Sequence, residues 1–283
     1  MKAKWIIEKF GGDSDVAEAL KKEVEIQGHE VLYLDDYEPF GDFNGVKTFD
    51  IEEPVIVQGS IQFIKQLQRE KLFYYGEWCK WDEFRCQEYY AQLGEYIVNQ
   101  DYMMMPLIEA HRRQNELLEI FNGNFFIRPD AGDKGFTGMV ITGVQDLNSE
   151  SRAVNTWKNI IRDHYKETLV VVAPVRTILN EWRMVVVDKE IITGSHYKEN
   201  GKLNILSEEH APQEVFDFAA KVRKTKWAPA PVWIMDICRT KDGNLHLLEI
   251  GAFNCAGLYG CNLSKIVSRV SKKVIDTVEE YRG

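Results

Sequence analysis

Two apolar runs near the C-terminus, Trp233-Ile-Met-Asp-Ile-Cys238 and Leu245-His-Leu-Leu-Glu-Ile-Gly-Ala-Phe-Asn254, each carry one carboxylate, Asp236 and Glu249, thirteen positions apart. The turn sequence Lys241-Asp-Gly-Asn244 between them predicts a β-hairpin, because Asp-Gly accepts the backbone twist that a short connection demands. Folding the hairpin brings Asp236 and Glu249 together. Two carboxylates on otherwise apolar strands are costly to desolvate unless a cation or a proton lies between them. Hard oxygen donors point to a divalent ion, magnesium first. Such an ion in turn suggests a nucleotide phosphate.

The 283-residue chain is long enough for two or three packed layers. Its formal charge is −9, with acids and bases mixed throughout. The absence of a basic block or an arginine-rich stripe points away from duplex nucleic acid as a primary ligand. No apolar run approaches the length of a membrane span, and Glu8 comes too early for a signal peptide. The five cysteines (Cys79, Cys86, Cys238, Cys255, Cys261) are odd in number and form no CxxC. Neither a zinc site nor a disulfide framework is expected, and reduced, buried thiols in a cytoplasmic protein are the default.

The first hundred residues read as α/β. Trp5-Ile-Ile, Val31-Leu-Tyr-Leu34 and Pro54-Val-Ile-Val57 have the character of strands. Val16, Leu20 and Val24 repeat at helical spacing before Gly28, and Gly59-Ser60 opens a second helix through Ile61, Ile64 and Leu67. Strand–helix–strand order predicts a small parallel sheet. Gly11 and Gly12 do not fit the dinucleotide fingerprint and read as a turn and helix cap. The aromatics of 72–102 read as packing. Residues 106–121 and 212–224, a stretch around 156–166, and a C-terminal segment capped near Asn262 are expected helices. Val170–Pro174, Trp182–Val187 and Glu190–Thr193 are expected strands.

Three further features carry chemistry. The loop Arg128-Pro-Asp-Ala-Gly-Asp-Lys-Gly-Phe-Thr-Gly138 repeats glycine every third residue and carries Arg128 at its base and Lys134 at its tip. An apolar strand follows it, so it caps a hairpin. Its amides suit phosphate oxygens, although a bland flexible hairpin has the same composition. Glu181 and Arg183 flank Trp182, which puts both charges on one strand face. They fit a metal and phosphate site or a simple internal ion pair. His196 has no nucleophile to pair with and reads as structural.

In this order along the chain, these motifs resemble the ATP-grasp superfamily, and most closely its R2K clade. Phe126-Ile-Arg-Pro129, Pro54–Ser60, Glu181-Trp-Arg183, and Glu249 to Asn254 followed by Gly257-Leu-Tyr-Gly260 carry the likeness. It implies an α/β ATP-grasp fold with a parallel pre-ATP-grasp domain over 1–102 and an ATP-grasp domain over 103–283. The latter divides into a lid part with the glycine flap, 103–174, and a metal- and substrate-binding part, 175–283. The resemblance implies ATP and one or two Mg2+ as cofactors. Arg128, Lys134 and Gly135 are expected on the phosphates, Val172 and Ala173 at the adenine, and Glu181 at the ribose. Arg183 is expected at the γ- or acyl phosphate, and Asp236, Glu249 and Asn254 at the metal; Arg183, Arg128 and Lys134 form the catalytic set. The implied reaction is phosphorylation of a carboxylate, then attack by an amine, on a small molecule, peptide or protein end. The clade implies a phage or bacterial source. Gly251 stands where most members have the asparagine of Glu-x-Asn, and a second linker lysine is not evident. These departures keep two alternatives open, a nucleotide-binding module without turnover and an ATP-dependent phosphotransferase.

Overall fold

The computed structural model describes residues 1–9, 14–35, 44–133, 135–143 and 166–283. The expected features at Gly11–Gly12 and Lys134, and the helix expected around 156–166 apart from Lys166, lie outside the described residues. The chain packs as two compact units, one of Met1–Lys80 with Ile178–Gly283 and one of Trp81–Thr177.

The first unit begins with the expected parallel sheet. Strands β1 (Lys4–Glu8), β2 (Glu30–Leu34) and β3 (Val55–Gln58) run in the order β2-β1-β3. Trp5, Ile6, Ile7, Val55, Ile56 and Val57 have no exposed surface, as expected of a parallel sheet covered on both faces. Ser60 caps the helix Ile61–Arg69 by accepting the N–H of Phe63.

The second unit holds a four-stranded sheet, order β4-β7-β5-β6, of β4 (Met103–Pro106), β5 (Asn124–Pro129), β6 (Met139–Thr142) and β7 (Leu169–Ala173). Strand β4 has no counterpart in the sequence reading; its Met-Met-Met-Pro carries neither β-branching nor alternation. The helix expected over 106–121 is two, Leu107–Arg112 and Gln114–Ile120, which meet at Arg113, where ψ is 16°. A core of Leu107, Ala110, Leu117, Phe125, Ile127, Ile141, Val170 and Val172 joins them to the sheet.

The chain then returns to the first unit and forms a five-stranded antiparallel sheet, order β10-β9-β8-β11-β12. Its strands are β8 (Ile178–Val187), β9 (Glu190–Glu199), β10 (Lys202–Leu206), β11 (Val232–Thr240) and β12 (Leu245–Ala252). Strand β9 extends beyond the expected Glu190–Thr193 to Glu199, and β10 was not foreseen. The closing helix, Leu263–Arg282, is capped as expected by Asn262, which accepts the N–H of Lys265. It buries Ile266, Val267, Val270, Val274 and Val278. No described helix is long and apolar enough to cross a membrane.

Candidate functional site

The terminal hairpin forms as its turn sequence predicts. Asp236 on β11 stands directly opposite Glu249 on β12, and opposite Arg183 on β8 on the other side. Cross-strand partners share a sheet face, so the three charges converge. Asp236 is 1 % exposed and Arg183 6 %, which makes their pairing decisive. Arg183 grips Asp236 with two parallel bonds, Nε to Oδ1 at 2.9 Å and Nη2 to Oδ2 at 2.7 Å. Its Nη1 donates to the carbonyl of Gly257 at 2.7 Å. The cation that the buried carboxylate required is therefore, first of all, a guanidinium. Burial opposes the charge on Arg183, but the adjacent Asp236 outweighs it and drives the guanidinium pKa above its ordinary value.

Glu181 joins this face. The hydroxyl of Tyr197 donates to its Oε2 at 2.5 Å, and Lys198 approaches its Oε1 at 3.2 Å. Tyr197 lies parallel to Tyr259, with ring centroids 4.7 Å apart, and the Arg183 guanidinium sits 4.8 Å from the Tyr259 ring and 5.4 Å from that of Tyr197. Burial, with the charges of Asp236 and Glu181 behind it, holds the Tyr197 phenol well above its usual range, so the ring donates and does not ionise. Sequence parity could not find Tyr197. A bulge between Glu181 and Trp182 pairs them with Lys198 and His196, which leaves Tyr197 as the extra residue. Burial also pushes the thiols of Cys238 and Cys261 up, to about 12 and about 11, so neither is a ready nucleophile. His196 is structural: Nδ1 faces the carbonyl of Asn204 at 2.8 Å and Nε2 faces the Asn180 amide at 3.3 Å.

Asn254 does not join the carboxylates. It is fully buried, its Oδ1 accepts the N–H of Trp78 at 2.8 Å, and its Nδ2 donates to the carbonyls of Val57 and Gly76, each at 2.6 Å. The side chain bolts the end of the terminal hairpin to the parallel sheet. Coordinating a metal would require it to release those backbone groups. Among the described residues no group of three or more His, Cys, Asp and Glu is placed to hold an ion. Asp236 and Glu249 still satisfy magnesium's ordinary need for one or two carboxylates beside substrate phosphates. They are the residues that would hold it.

In the second unit the glycine loop caps the β5–β6 hairpin, as expected. Gly132 and Gly138 have packing reasons to be glycine: a Cβ would come within 2.5 Å of the Trp81 carbonyl and 2.6 Å of the Phe126 ring, respectively. Gly135 is exposed. Arg128 lies on β5 opposite Val171. The base of the loop is fixed by Asp130, a residue the sequence reading passed over. It is 2 % exposed and accepts from the Gln87 N–H at 2.7 Å and from Arg85 Nε at 2.8 Å. Val172 pairs on both sides, with Met103 and Ile127, whereas Ala173 pairs with Phe126 alone. Backbone left unpaired on the β4 side thus begins at Ala173.

The sequence model of the ATP-grasp domain, R2K clade family 2, matches residues 111–269, more than half of the 283-residue chain. No curated protein matches. Among solved structures the chain is similar to D-cycloserine synthetase DcsG, at 12 % identity and TM-score 0.62, over 97 % of this chain and 100 % of that one. It is similar to the D-alanine–D-alanine ligase of Bacillus anthracis complexed with ATP, at 11 % identity and TM-score 0.59, over 99 % of both chains. It is also similar to the ATP-grasp ligase PsnB complexed with precursor peptide PsnA2 and AMPPNP, at 12 % identity and TM-score 0.52, over 97 % and 98 %. At these identities the likeness establishes the fold, a mixed helix and sheet architecture with a parallel N-terminal sheet.

Proposed function

The chain belongs to the R2K clade of ATP-grasp domains, and from that membership we propose that it is an ATP-dependent ligase. It activates a carboxylate as an acyl phosphate and condenses it with an amine. The observation that carries this reading is the buried Arg183–Asp236 fork with Glu249 opposite Asp236. A guanidinium held rigid on two sides presents its remaining N–H groups at a fixed place. That suits it to an oxyanion that gains charge during phosphoryl transfer.

Each unit contributes its own part. In the first, Glu181 orients Tyr197 and Lys198, Asp236 orients Arg183, and Arg183 neutralises the acyl phosphate. Glu249 and Asp236 are the residues that would hold magnesium, which when bound withdraws charge from the transferring phosphoryl group. In the second, Arg128, Lys134 and the Gly135 amide meet phosphate oxygens, and the backbone from Val172 and Ala173 onward borders the adenine. The neighbours in the fold act on small molecules or on a precursor peptide, and the acceptor here is of that range. All five cysteines are free thiols, in keeping with a cytoplasmic setting.

The test supplies ATP, Mg2+, a panel of carboxylic acids and hydroxylamine as a general nucleophile. Hydroxamate formed together with ADP is the expected result. ATP binding without ADP release from any acid would sink the ligase reading. It would leave the second one, a nucleotide-binding module without turnover. The engagement of Asn254 with backbone favours that alternative. A phosphorylated acceptor without condensation would instead identify a phosphotransferase.

A further inference from the structure

The turn that follows the terminal hairpin holds an aromatic residue in a conformation that suits glycine. The Leu258 carbonyl accepts the N–H of Cys261 at 3.0 Å, which closes a tight turn over Tyr259 and Gly260. Tyr259 has φ of 46°, in the left-handed region where a bulky side chain is strained. Glycine stands one position later for a reason of its own, since a Cβ at Gly260 would come within 2.4 Å of the Leu206 carbonyl. The turn is held from both sides. Leu258 and Cys261 are buried, and Cys261 Sγ lies 3.4 Å from Ser195 Oγ. Tyr259 itself is only half-buried, so the hydrophobic gain from its ring is partial. Strain that the surroundings over-determine points to a task for the strained residue.

Three contacts from this segment converge on Arg183. The Gly257 carbonyl accepts from its Nη1 at 2.7 Å, the Tyr259 ring centroid lies 4.8 Å from its guanidinium carbon, and the Cys261 thiol approaches its backbone carbonyl at 3.8 Å. Tyr197 completes the group. Its ring is parallel to that of Tyr259 within 3°, and the guanidinium carbon and the two ring centroids form a nearly equilateral triangle with sides of 4.7, 4.8 and 5.4 Å. Tyr197 is anchored independently, by its hydroxyl on Glu181, so it can serve as a fixed wall for Tyr259. Of the five N–H donors of a guanidinium, Asp236 and Gly257 take three, which leaves two among the described residues. Those three bonds act along N–H directions and leave the guanidinium plane some freedom to tilt. Aromatic rings packed beside it remove that freedom, and a desolvated cation is attracted to them.

We propose that Tyr259 is a positioning residue for Arg183: the strained turn presents its ring to the guanidinium and fixes the plane in which the two remaining N–H groups meet an oxyanion. A smaller residue would fit the turn better and would leave that plane loose. The identity of the oxyanion, an acyl phosphate, rests on the ligase reading; the hold on the guanidinium does not.

The test compares three variants of the full chain: Tyr259→Phe keeps the ring, Tyr259→Leu keeps bulk without it, and Tyr259→Gly suits the turn. The first measurement needs no nucleotide. Hydrogen exchange of the Arg183 Nε–H, followed by NMR, should accelerate about tenfold in the Leu and Gly variants, the loss of one desolvated cation–π contact, and return to the parent rate in Tyr259→Phe. Exchange unchanged in Leu and Gly would overturn the proposal. The second measurement is hydroxamate formation from ATP, Mg2+, hydroxylamine and the most active acid of the panel. In Tyr259→Leu and Tyr259→Gly kcat should fall about 10- to 100-fold, as expected of a misplaced group, while KM for ATP changes less than about twofold; Tyr259→Phe should restore kcat. Tyr259→Gly should melt above Tyr259→Leu, because glycine relieves the backbone. A kcat that recovered in Tyr259→Gly along with the melting temperature would make the ring a structural filler and overturn the proposal. Accelerated exchange in Leu and Gly, with no hydroxamate even from the parent, would defeat the ligase reading and leave the positioning role standing. Hydroxamate formed at the parent rate by all three variants would do the reverse.

Discussion

Two buried carboxylates in one compact unit meet opposite fates. Asp236, in the middle of the antiparallel sheet, has both oxygens in the fork of Arg183. Glu8, at the end of the parallel sheet, has only the neutral donors of Ser60 among its described partners. The first is a completed ion pair and the second a half-finished one. A carboxylate that brings its own cation is built into the scaffold and fixes geometry. One left without a cation stays costly to ionise. The contrast can be broken experimentally at either end.

The largest effect should come from removing the cation at the completed pair. Arg183→Met leaves Asp236 buried and uncompensated, which costs about 3–5 kcal/mol. Urea denaturation at neutral pH checks this. The Arg183→Met/Asp236→Leu double variant should recover most of that loss, because two packed apolar side chains replace a pair whose desolvation offsets much of its attraction. It should remain without ligase activity. If the single and double variants were equally unstable, the pair would not be the self-contained element that the comparison requires.

Next comes the bolt that links the two sheets. Asn254→Ala strands the Trp78 N–H and the carbonyls of Val57 and Gly76. Buried groups left unpaired cost about 1–3 kcal/mol each, and partial relaxation puts the expected loss near 3 kcal/mol. Because Gly59 also donates to the Asn254 carbonyl at 2.8 Å, the loss should loosen the loop that positions Glu8. Hydrogen exchange at residues 57–59 should then rise more than exchange in β8 and β9. Equal acceleration everywhere would mean that Asn254 stabilises the unit without fixing that loop. Tyr197→Phe is smaller. It takes one charge-assisted hydrogen bond from Glu181, worth about 1.5–3 kcal/mol. In the native protein, absorbance titration through pH 10 should show that the ring does not ionise, since its pKa is held above that range.

The contrast between the carboxylates was half legible in the sequence. The Asp-Gly turn and the single acids in apolar runs were enough to place Asp236 opposite Glu249, and the two-residue strand period put Glu181 and Arg183 on one face. The sequence pattern could not say that Arg183 would meet Asp236, because β8 and β11 are separated by some fifty residues and their register is set by tertiary packing. Nor could it assign Asn254, whose partners are backbone groups nearly 200 positions away. Glu8 is less legible still. It ends an ordinary buried strand, and its partner Ser60 is brought near only by the folded sheet. Strand β4 was missed because its residues lack strand character and pair only through β7.

The smallest effect sharpens the comparison most, because its sign is opposite to the others. Burial raises the pKa of Glu8 above its ordinary value of 4.5, and the hydrogen bonds from Ser60 only partly offset this. A raised pKa means that the folded state holds a proton more firmly than the unfolded chain. The stability tied to that proton is fully present below the unfolded pKa and is lost as pH rises through the folded one. Ionised Glu8 therefore weakens the fold at neutral pH, and Glu8→Gln, which keeps the shape without the charge, should be as stable as the parent or slightly more so. The difference between the two should be near zero at pH 4 and open above pH 4.5, with a slope no steeper than about 1.4 kcal/mol per pH unit for one proton. It should level off once Glu8 is ionised in both states. If Glu8→Gln instead lost stability at pH 7 as Arg183→Met does, Glu8 would be a completed structural element like Asp236, and the distinction between the two carboxylates would fall.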